Sequence, residues 1–250
     1  MSKITVFPDK ESLISGTADF IAELAAQAIA ARGRFTLALS GGNTPRPVYA
    51  RLATPDYRDW IDWSKVQIFF GDERSVPPDD PQSNYLMVKT ALFDQAPLPE
   101  GNIHRIRGED APEQAAADYA DVLQRTFGGA TAGGPPPEGF DLILLGMGDN
   151  GHTASLFPGL AVVTEEVRWV MAQYVEVVGM WRVTLTPVVI NAARQVAFLV
   201  SGANKAEMLH RVLEGPYQPV VLPSQIIKPT RGELRWLLDA PAAAQLRRES

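Results

Sequence analysis

The sequence contains no cysteine and only three histidines among its 250 residues. Without cysteine the chain can form no disulfide framework, no thiolate nucleophile and no zinc site built on thiolates. An excess of basic residues is also missing: the net charge is −6, which argues against a surface that binds nucleic acid. The absence of disulfides is compatible with a reducing compartment. We therefore expect a cytoplasmic protein with no nucleic-acid partner.

Long apolar runs are absent as well. The first nine residues lack the apolar core of a signal peptide, and no uninterrupted apolar run approaches the roughly 20 residues that a membrane span needs. We expect no membrane partner. Hydrophobic residues make up 46% of the chain and charged residues 21%, which are ordinary values for a globular protein. The length predicts a single domain over residues 1–250.

Apolar segments alternate with helical ones along the chain. The pattern predicts strands at 4–7, 35–39, 66–70, 142–145, 169–175, 183–185, 196–200 and 234–238, with helices at 10–31, 84–93, 113–126, 187–193 and 203–213. Repeated strand–loop–helix units predict an α/β fold with a largely parallel sheet and helices on both faces. Ligands of such sheets bind at the carboxyl ends of the strands. Loops after residues 39, 70, 145 and 200 are thus expected to share one rim.

The loop after residue 145 reads GMGDNGHTASLFP over residues 146–158, and it contains His152. Of its side chains, only histidine has an ordinary pKa near neutrality, so His152 is the natural proton acceptor. The three glycines also satisfy the dinucleotide pattern G-x-G-x-x-G. However, Pro158 interrupts the helix that should follow, and no clear strand ending in Asp or Glu comes about 20 residues later.

Polar residues in the other loops are candidates for binding an anion. The turn after residue 39 predicts either a phosphate cradle or an ordinary helix cap. Arg74, which follows Asp72 and Glu73, is either a phosphate ligand or part of a surface ion pair. Lys205 is predicted in the first turn of its helix, where a bound anion would offset the unfavourable dipole. The turn consists of Ser40, Gly41, Gly42, Asn43 and Thr44.

The segment 146–158 resembles the G-x-G-x-D-G-H-T-A-S-L-F-P signature of the 6-phosphogluconolactonases. This family belongs with the glucosamine-6-phosphate deaminases and ribose-5-phosphate isomerases. Segments 39–45, 71–74, 83–85, 181–186 and 201–205 fit the same family in the same order. The resemblance implies hydrolysis of a small sugar-phosphate lactone, 6-phospho-D-glucono-1,5-lactone, without a metal or cofactor. It also implies that His152 activates the water and that Arg182, placed just before a strand, contacts the substrate.

Asn150 departs from the family pattern, because relatives usually carry Asp two residues before the histidine. We expect Asn150 or Asp149 to orient His152. Two alternatives stay open: an isomerase or deaminase of the same superfamily, although those deaminases carry Glu where this chain has Phe157, and a non-enzymatic sugar-phosphate sensor. We expect a monomer or weak homodimer. Whether the Gly/Pro-rich loop at 128–139 closes over the substrate is not decided by the sequence.

Overall fold

The computed structural model describes residues 2–129 and 133–247. These residues form nine strands and seven α-helices. The strands are β1 (Lys3–Phe7), β2 (Phe35–Leu39), β3 (Val66–Phe70), β4 (Asp72–Arg74), β5 (Leu142–Leu145), β6 (Val170–Val175), β7 (Met180–Leu185), β8 (Gln195–Val200) and β9 (Glu233–Asp239). The helices are α1 (Lys10–Arg32), α2 (Arg46–Leu52), α3 (Pro55–Arg58), α4 (Asn84–Val88), α5 (Pro112–Phe127), α6 (Pro187–Ile190) and α7 (Ala206–Glu214).

The six-stranded sheet has the order β1-β9-β8-β5-β2-β3, and all its strands run parallel. Every residue of β2 and β5 is buried, so both faces of the central strands are covered. This is why those strands are continuous apolar runs rather than alternating ones. The predicted α/β class with a largely parallel sheet is confirmed.

A second sheet was not expected. Its three strands run antiparallel in the order β4-β7-β6. The sequence predicts a loop at β4, because this strand consists of only three residues, all of them charged. Arg182 lies inside β7, opposite Arg74 of β4, so its predicted position before a strand is wrong. The apolar pattern of β6 and β7 identified strands but carried no information about their direction.

Helix α1 is long and apolar enough, by length and composition alone, to cross a membrane. It begins after Asp9, whose side chain accepts a hydrogen bond from the Ser12 N–H, and it ends at Gly33. Its apolar residues, such as Leu13 and Ile21, are buried against the protein core. The helix packs on α2 and β9. In this fold it is therefore a core helix.

The Gly/Pro-rich segment lies partly outside the described residues, which omit 130–132. Its described part is held at the amino end of β5 by two hydrogen bonds. The Trp169 indole N–H donates to the carbonyl of Gly134, and the Arg231 guanidinium donates to the carbonyl of Pro136. That end of the strand is opposite the loops that follow β2, β5 and β8. Accordingly, none of residues 128–129 and 133–139 borders the cleft described below.

Candidate active site

A cleft of about 460 Å³ opens at the carboxyl edge of the six-stranded sheet. This volume lies within the range of small-molecule sites. The loops after β2, β5 and β8 border it, as does β4, the strand that directly follows β3, so the four segments share the rim predicted from their place in the sheet. The predicted residues that border it are Ser40, Gly41, Gly42, Asn43, Thr44, Asp72, Arg74, Asp149, His152, Arg182 and Lys205. Asn150 does not border the cleft, but it contacts His152.

His152 follows a tight turn of residues 148–151, closed by a hydrogen bond of 3.0 Å from the Gly151 N–H to the Gly148 carbonyl. The Asn150 Oδ1 atom lies 2.5 Å from His152 Nδ1 and 3.2 Å from the His152 backbone nitrogen. Because a backbone N–H only donates, the Asn150 atom that faces it must be the acceptor oxygen. Nδ1 therefore carries the ring proton, and Nε2 keeps a free lone pair. This tautomer suits a general base.

Neighbouring residues fix the plane of the imidazole. The Phe157 ring stacks on it at 4.1 Å between centroids and an angle of 16°. At Gly148, a Cβ atom would stand 2.0 Å from the imidazole Cε1, so any larger residue would displace the ring or the turn. The close approach of the His152 side chain thus explains why position 148 of the segment is a glycine.

The environment makes His152 a weak base in the free protein. Burial lowers its pKa to about 4; the Asp72 carboxylate opposes this shift, while the positive charges of Lys205 and Arg182 add to it. Asn150 orients the ring, but its neutral amide adds no negative charge to favour the imidazolium. The imidazole is therefore neutral at pH 7 and ready to accept a proton.

Asp149 turns away from His152. Its carboxylate accepts a hydrogen bond of 2.5 Å from the Lys205 ammonium, which lowers the pKa of Asp149. Asn150, rather than Asp149, orients the histidine in this structure. Lys205 ends a 3₁₀ turn, Ala203–Lys205, that runs directly into α7, so it lies in the first turn of the helical segment predicted at 203–213, although this turn is 3₁₀ rather than α. That turn is anchored by Asp239, which accepts a hydrogen bond from the Gly202 N–H.

Arg74 and Arg182 lie side by side on β4 and β7. Among the described residues, neither guanidinium has a carboxylate within 4.0 Å, and the Nε atoms of both are buried without a hydrogen-bond partner. In the described part of the chain, the Arg74 guanidinium donates only to the carbonyl of Gln82, at 2.5 Å. The neighbouring Glu73 is occupied by the backbone N–H groups of Asn84 and Tyr85. The ion-pair interpretation of Arg74 is therefore wrong, and both arginines are open to an anion.

The turn after β2 offers backbone donors. In the described part of the chain, the N–H groups of residues 41–44 donate to no protein atom. The Ser40 N–H is already used, because it donates to the buried Tyr49 hydroxyl at 3.0 Å. The N-cap residue of α2 is Pro45, and no side chain makes a capping hydrogen bond there, so the ordinary-cap interpretation of Ser40 and Thr44 is wrong.

Two residues that the sequence did not single out hold Asp72 in place. Asp72 is only 8% exposed, and it accepts 2.6 Å and 3.2 Å hydrogen bonds from Ser155 Oγ and Asn84 Nδ2. Both residues lie in segments that carry the family resemblance. No sequence pattern, however, shows that Ser155 contacts Asp72, which lies 83 positions earlier in the chain. Next to Ser155, Ala154 has a φ of 46°, a strained conformation for a residue other than glycine.

No metal-ligand cluster appears in residues 2–129 and 133–247: no group of three or more His, Asp or Glu side chains lies together there. The positive charge in the cleft comes from Arg74, Arg182 and Lys205.

The fold and the site define an α/β protein with a cleft lined by cationic side chains at the edge of a parallel sheet. The chain belongs to the family described as glucosamine-6-phosphate isomerases/6-phosphogluconolactonase, whose profile matches residues 8–236. It is 42% identical to a 6-phosphogluconolactonase of Nostoc sp. over 97% of this chain and 98% of that one. It is 43% identical to that of Synechocystis sp. over 98% of each chain. The structure of 6-phosphogluconolactonase from Trypanosoma cruzi matches with a TM-score of 0.85 at 28% identity, covering 99% of this chain and 98% of that one.

Proposed function

We propose that the protein hydrolyses 6-phospho-D-glucono-1,5-lactone to 6-phospho-D-gluconate, the second step of the oxidative pentose phosphate pathway. The observation that carries this proposal is the His152–Asn150 hydrogen bond of 2.5 Å, which leaves Nε2 as a free acceptor in a cationic cleft. The names of the full-length relatives support the same substrate.

In the proposed mechanism, His152 Nε2 takes a proton from a water molecule as the water oxygen attacks lactone carbon C1. The carbonyl oxygen becomes an oxyanion, and a guanidinium beside it stabilises the developing charge. We assign this role to Arg182 because it borders the cleft and, in the part of the chain that the structure describes, has no carboxylate within 4.0 Å. The tetrahedral intermediate then expels the ring oxygen, which takes the proton from the imidazolium. The product is the open-chain acid, and His152 is neutral again.

The 6-phosphate is proposed to bind at Lys205, Arg74 and the turn of residues 40–44. These groups combine two cations with free backbone N–H donors. Holding the remote phosphate converts binding energy into orientation of the lactone carbonyl toward Nε2.

Several finer predictions belong to the same proposal. The reaction is that of a carboxylic ester hydrolase, and it uses no metal or cofactor, because arginine and lysine side chains supply the positive charge. A cytoplasmic location and a monomer or weak homodimer remain predictions. The deaminase alternative has little support, because Phe157 supplies a stacked ring where those enzymes carry a glutamate.

Hydrolysis of freshly generated 6-phosphoglucono-δ-lactone, measured against its spontaneous background, tests the activity. D-glucono-δ-lactone, which lacks the phosphate, is the matched comparison substrate. We expect clear acceleration with the phosphorylated lactone and a much smaller kcat/KM without the phosphate. Binding of the phosphorylated compound with no acceleration would contradict the proposal and favour the sensor alternative.

A further inference from the structure

One tight turn connects the histidine to an ion pair on the cleft wall. Asp149 and Asn150 are the two central residues of the turn 148–151, and their side chains diverge. Asn150 Oδ1 accepts from His152, and Asp149 Oδ1 accepts from Lys205, each at 2.5 Å. If Lys205 exchanges Asp149 for another anion, the change therefore occurs next to Asn150, the residue that orients His152.

The ion pair is asymmetric in its exposure. The Asp149 side chain is 81% exposed, whereas that of Lys205 is 19% exposed and borders the cleft. An ion pair with one partner in solvent contributes little. A phosphate monoester carries up to two negative charges and three acceptor oxygens. A phosphate group in the cleft is thus a stronger partner for the Lys205 ammonium than Asp149 is.

We propose that a phosphate group bound at Lys205 displaces Asp149 from its ion pair and thereby makes His152 a stronger base. This inference rests on the proposed function, in which the substrate supplies the phosphate.

The charges around His152 determine the direction of the effect. Asp72 faces it from β4, Arg182 from β7, Lys205 from the turn before α7, and Asp149 from its own turn. Asp72 keeps its partners Ser155 and Asn84 whatever binds at Lys205. Bound phosphate neutralises the Lys205 charge that lowers the His152 pKa, and it frees the negative charge of Asp149. Both changes favour the imidazolium, so the pKa of His152 rises.

The consequence is a base whose strength depends on the phosphate. Asn150 supplies no charge, so the bound substrate itself provides the electrostatic help that a carboxylate at that position would give. General-base catalysis becomes more effective as the pKa of the base approaches the working pH. A lactone without a phosphate would therefore react with a lower kcat and not only a higher KM.

An NMR titration of the His152 ring tests this link, in the free protein and in the protein saturated with D-glucitol 6-phosphate. This probe carries the phosphate but neither a lactone nor a carboxylate. We expect the titration midpoint of His152 to rise by about one pH unit or more when the probe binds. In Lys205→Met the midpoint of the free protein should already be higher, and the probe should raise it less. In Asp149→Asn the midpoint of the free protein should be lower than in the wild type, because Lys205 then lacks its counter-charge, and the probe should still raise it.

An unchanged His152 midpoint in the saturated protein would overturn the inference, as would a probe that leaves the resonances of Lys205 unperturbed. The lactone assay separates this failure from that of the proposed function. Hydrolysis of the lactone together with an unchanged His152 midpoint would support the proposed function and reject the link between phosphate binding and the pKa of His152. A raised midpoint without hydrolysis would support the link and reject the function.

Discussion

At the scale of single residues, Asn150 performs two of the three tasks that an aspartate could perform at its position. It orients the imidazole, and it selects the tautomer with the proton on Nδ1. It does not stabilise the imidazolium by charge. Burial lowers the pKa of His152 to about 4, and Asn150 does nothing to oppose this shift. Activity in the free protein should therefore persist to lower pH than an unperturbed histidine would allow.

Replacing Asn150→Asp should raise the His152 pKa, because the new carboxylate favours the charged imidazole. The activity of a general base is lost as pH falls through its pKa, so the acid limb of kcat/KM should move upward by about one to three pH units. We expect kcat at neutral pH to rise, since a stronger base is then still unprotonated. Asn150→Ala, which removes the orienting oxygen without adding charge, is the control and should only lower kcat. An identical pH profile for the wild type and Asn150→Asp would refute this role of residue 150.

The contact between Gly148 and His152 gives a steric prediction. Gly148→Ala places a Cβ 2.0 Å from the imidazole Cε1, so the ring must move, and we expect kcat to fall by about 100-fold. Gly101→Ala is the matched control, because a Cβ at Gly101 meets nothing within 4 Å. Steady-state kinetics of both variants, with circular dichroism to confirm folding, provide the measurement. Equal activity in the two variants would show that the approach of Gly148 to His152 is unimportant.

At this scale the sequence is informative where the chemistry is local. His152 stands out by residue type, and the turn before it brings its orienting residue from two positions away. The surroundings of Asp72 could not be predicted, because Ser155 and Asn84 reach it through tertiary contacts. The same holds for the ion pair between Asp149 and Lys205, whose members are 56 residues apart.

At the scale of elements, the three-stranded sheet supports the loop that carries His152. All three strands contact Ser155: Gln173 of β6 donates to its carbonyl, Thr184 of β7 accepts from its N–H, and Asp72 of β4 accepts from its hydroxyl. These contacts compensate for the strained backbone of Ala154. The sequence did not predict this sheet for two reasons. The apolar pattern of a strand does not show its direction, and β4 has no apolar residue.

Removing the Ser155 hydroxyl should therefore weaken both the fold and the site. Ser155→Ala removes the donor to Oδ2 of the buried Asp72 carboxylate and leaves only the longer hydrogen bond from Asn84, so we expect the free energy of unfolding to fall by about 1–3 kcal/mol. Ser64→Ala is the matched control, since Ser64 donates to Asp62 at the same 2.6 Å but on the exposed surface. Denaturant unfolding of both variants compares the two hydrogen bonds. A loss for Ser155→Ala no larger than that for Ser64→Ala would contradict the supporting role of the sheet.

At the scale of the whole molecule, the parallel sheet gathers loops from distant parts of the sequence into one cleft. This part was predictable, because the carboxyl ends of parallel strands share an edge. The position of the Gly/Pro-rich segment follows from the same rule: it precedes β5, so it lies at the opposite edge. Composition alone marks that segment as a loop and does not say which edge it occupies.

Binding at the cleft should stabilise the entire fold, because its walls come from both sheets. A ligand at 100 times its Kd contributes about 2.7 kcal/mol, which corresponds to a rise in Tm of about 5–10 °C for a chain of this size. We expect such a rise with 6-phosphogluconate and much less with gluconate at the same concentration, as measured by calorimetry. Equal shifts for the two acids would mean that the cleft does not recognise the phosphate.

The most direct test of the central claim compares initial rates of 6-phosphoglucono-δ-lactone hydrolysis for the wild type, His152→Ala and His210→Ala. His210 lies on α7 outside the cleft and controls for the loss of a histidine. If His152 is the general base, His152→Ala should reduce kcat by about 10²–10⁴-fold while His210→Ala leaves it unchanged. Hydrolysis by His152→Ala at the wild-type rate would contradict the assignment of His152 as the base.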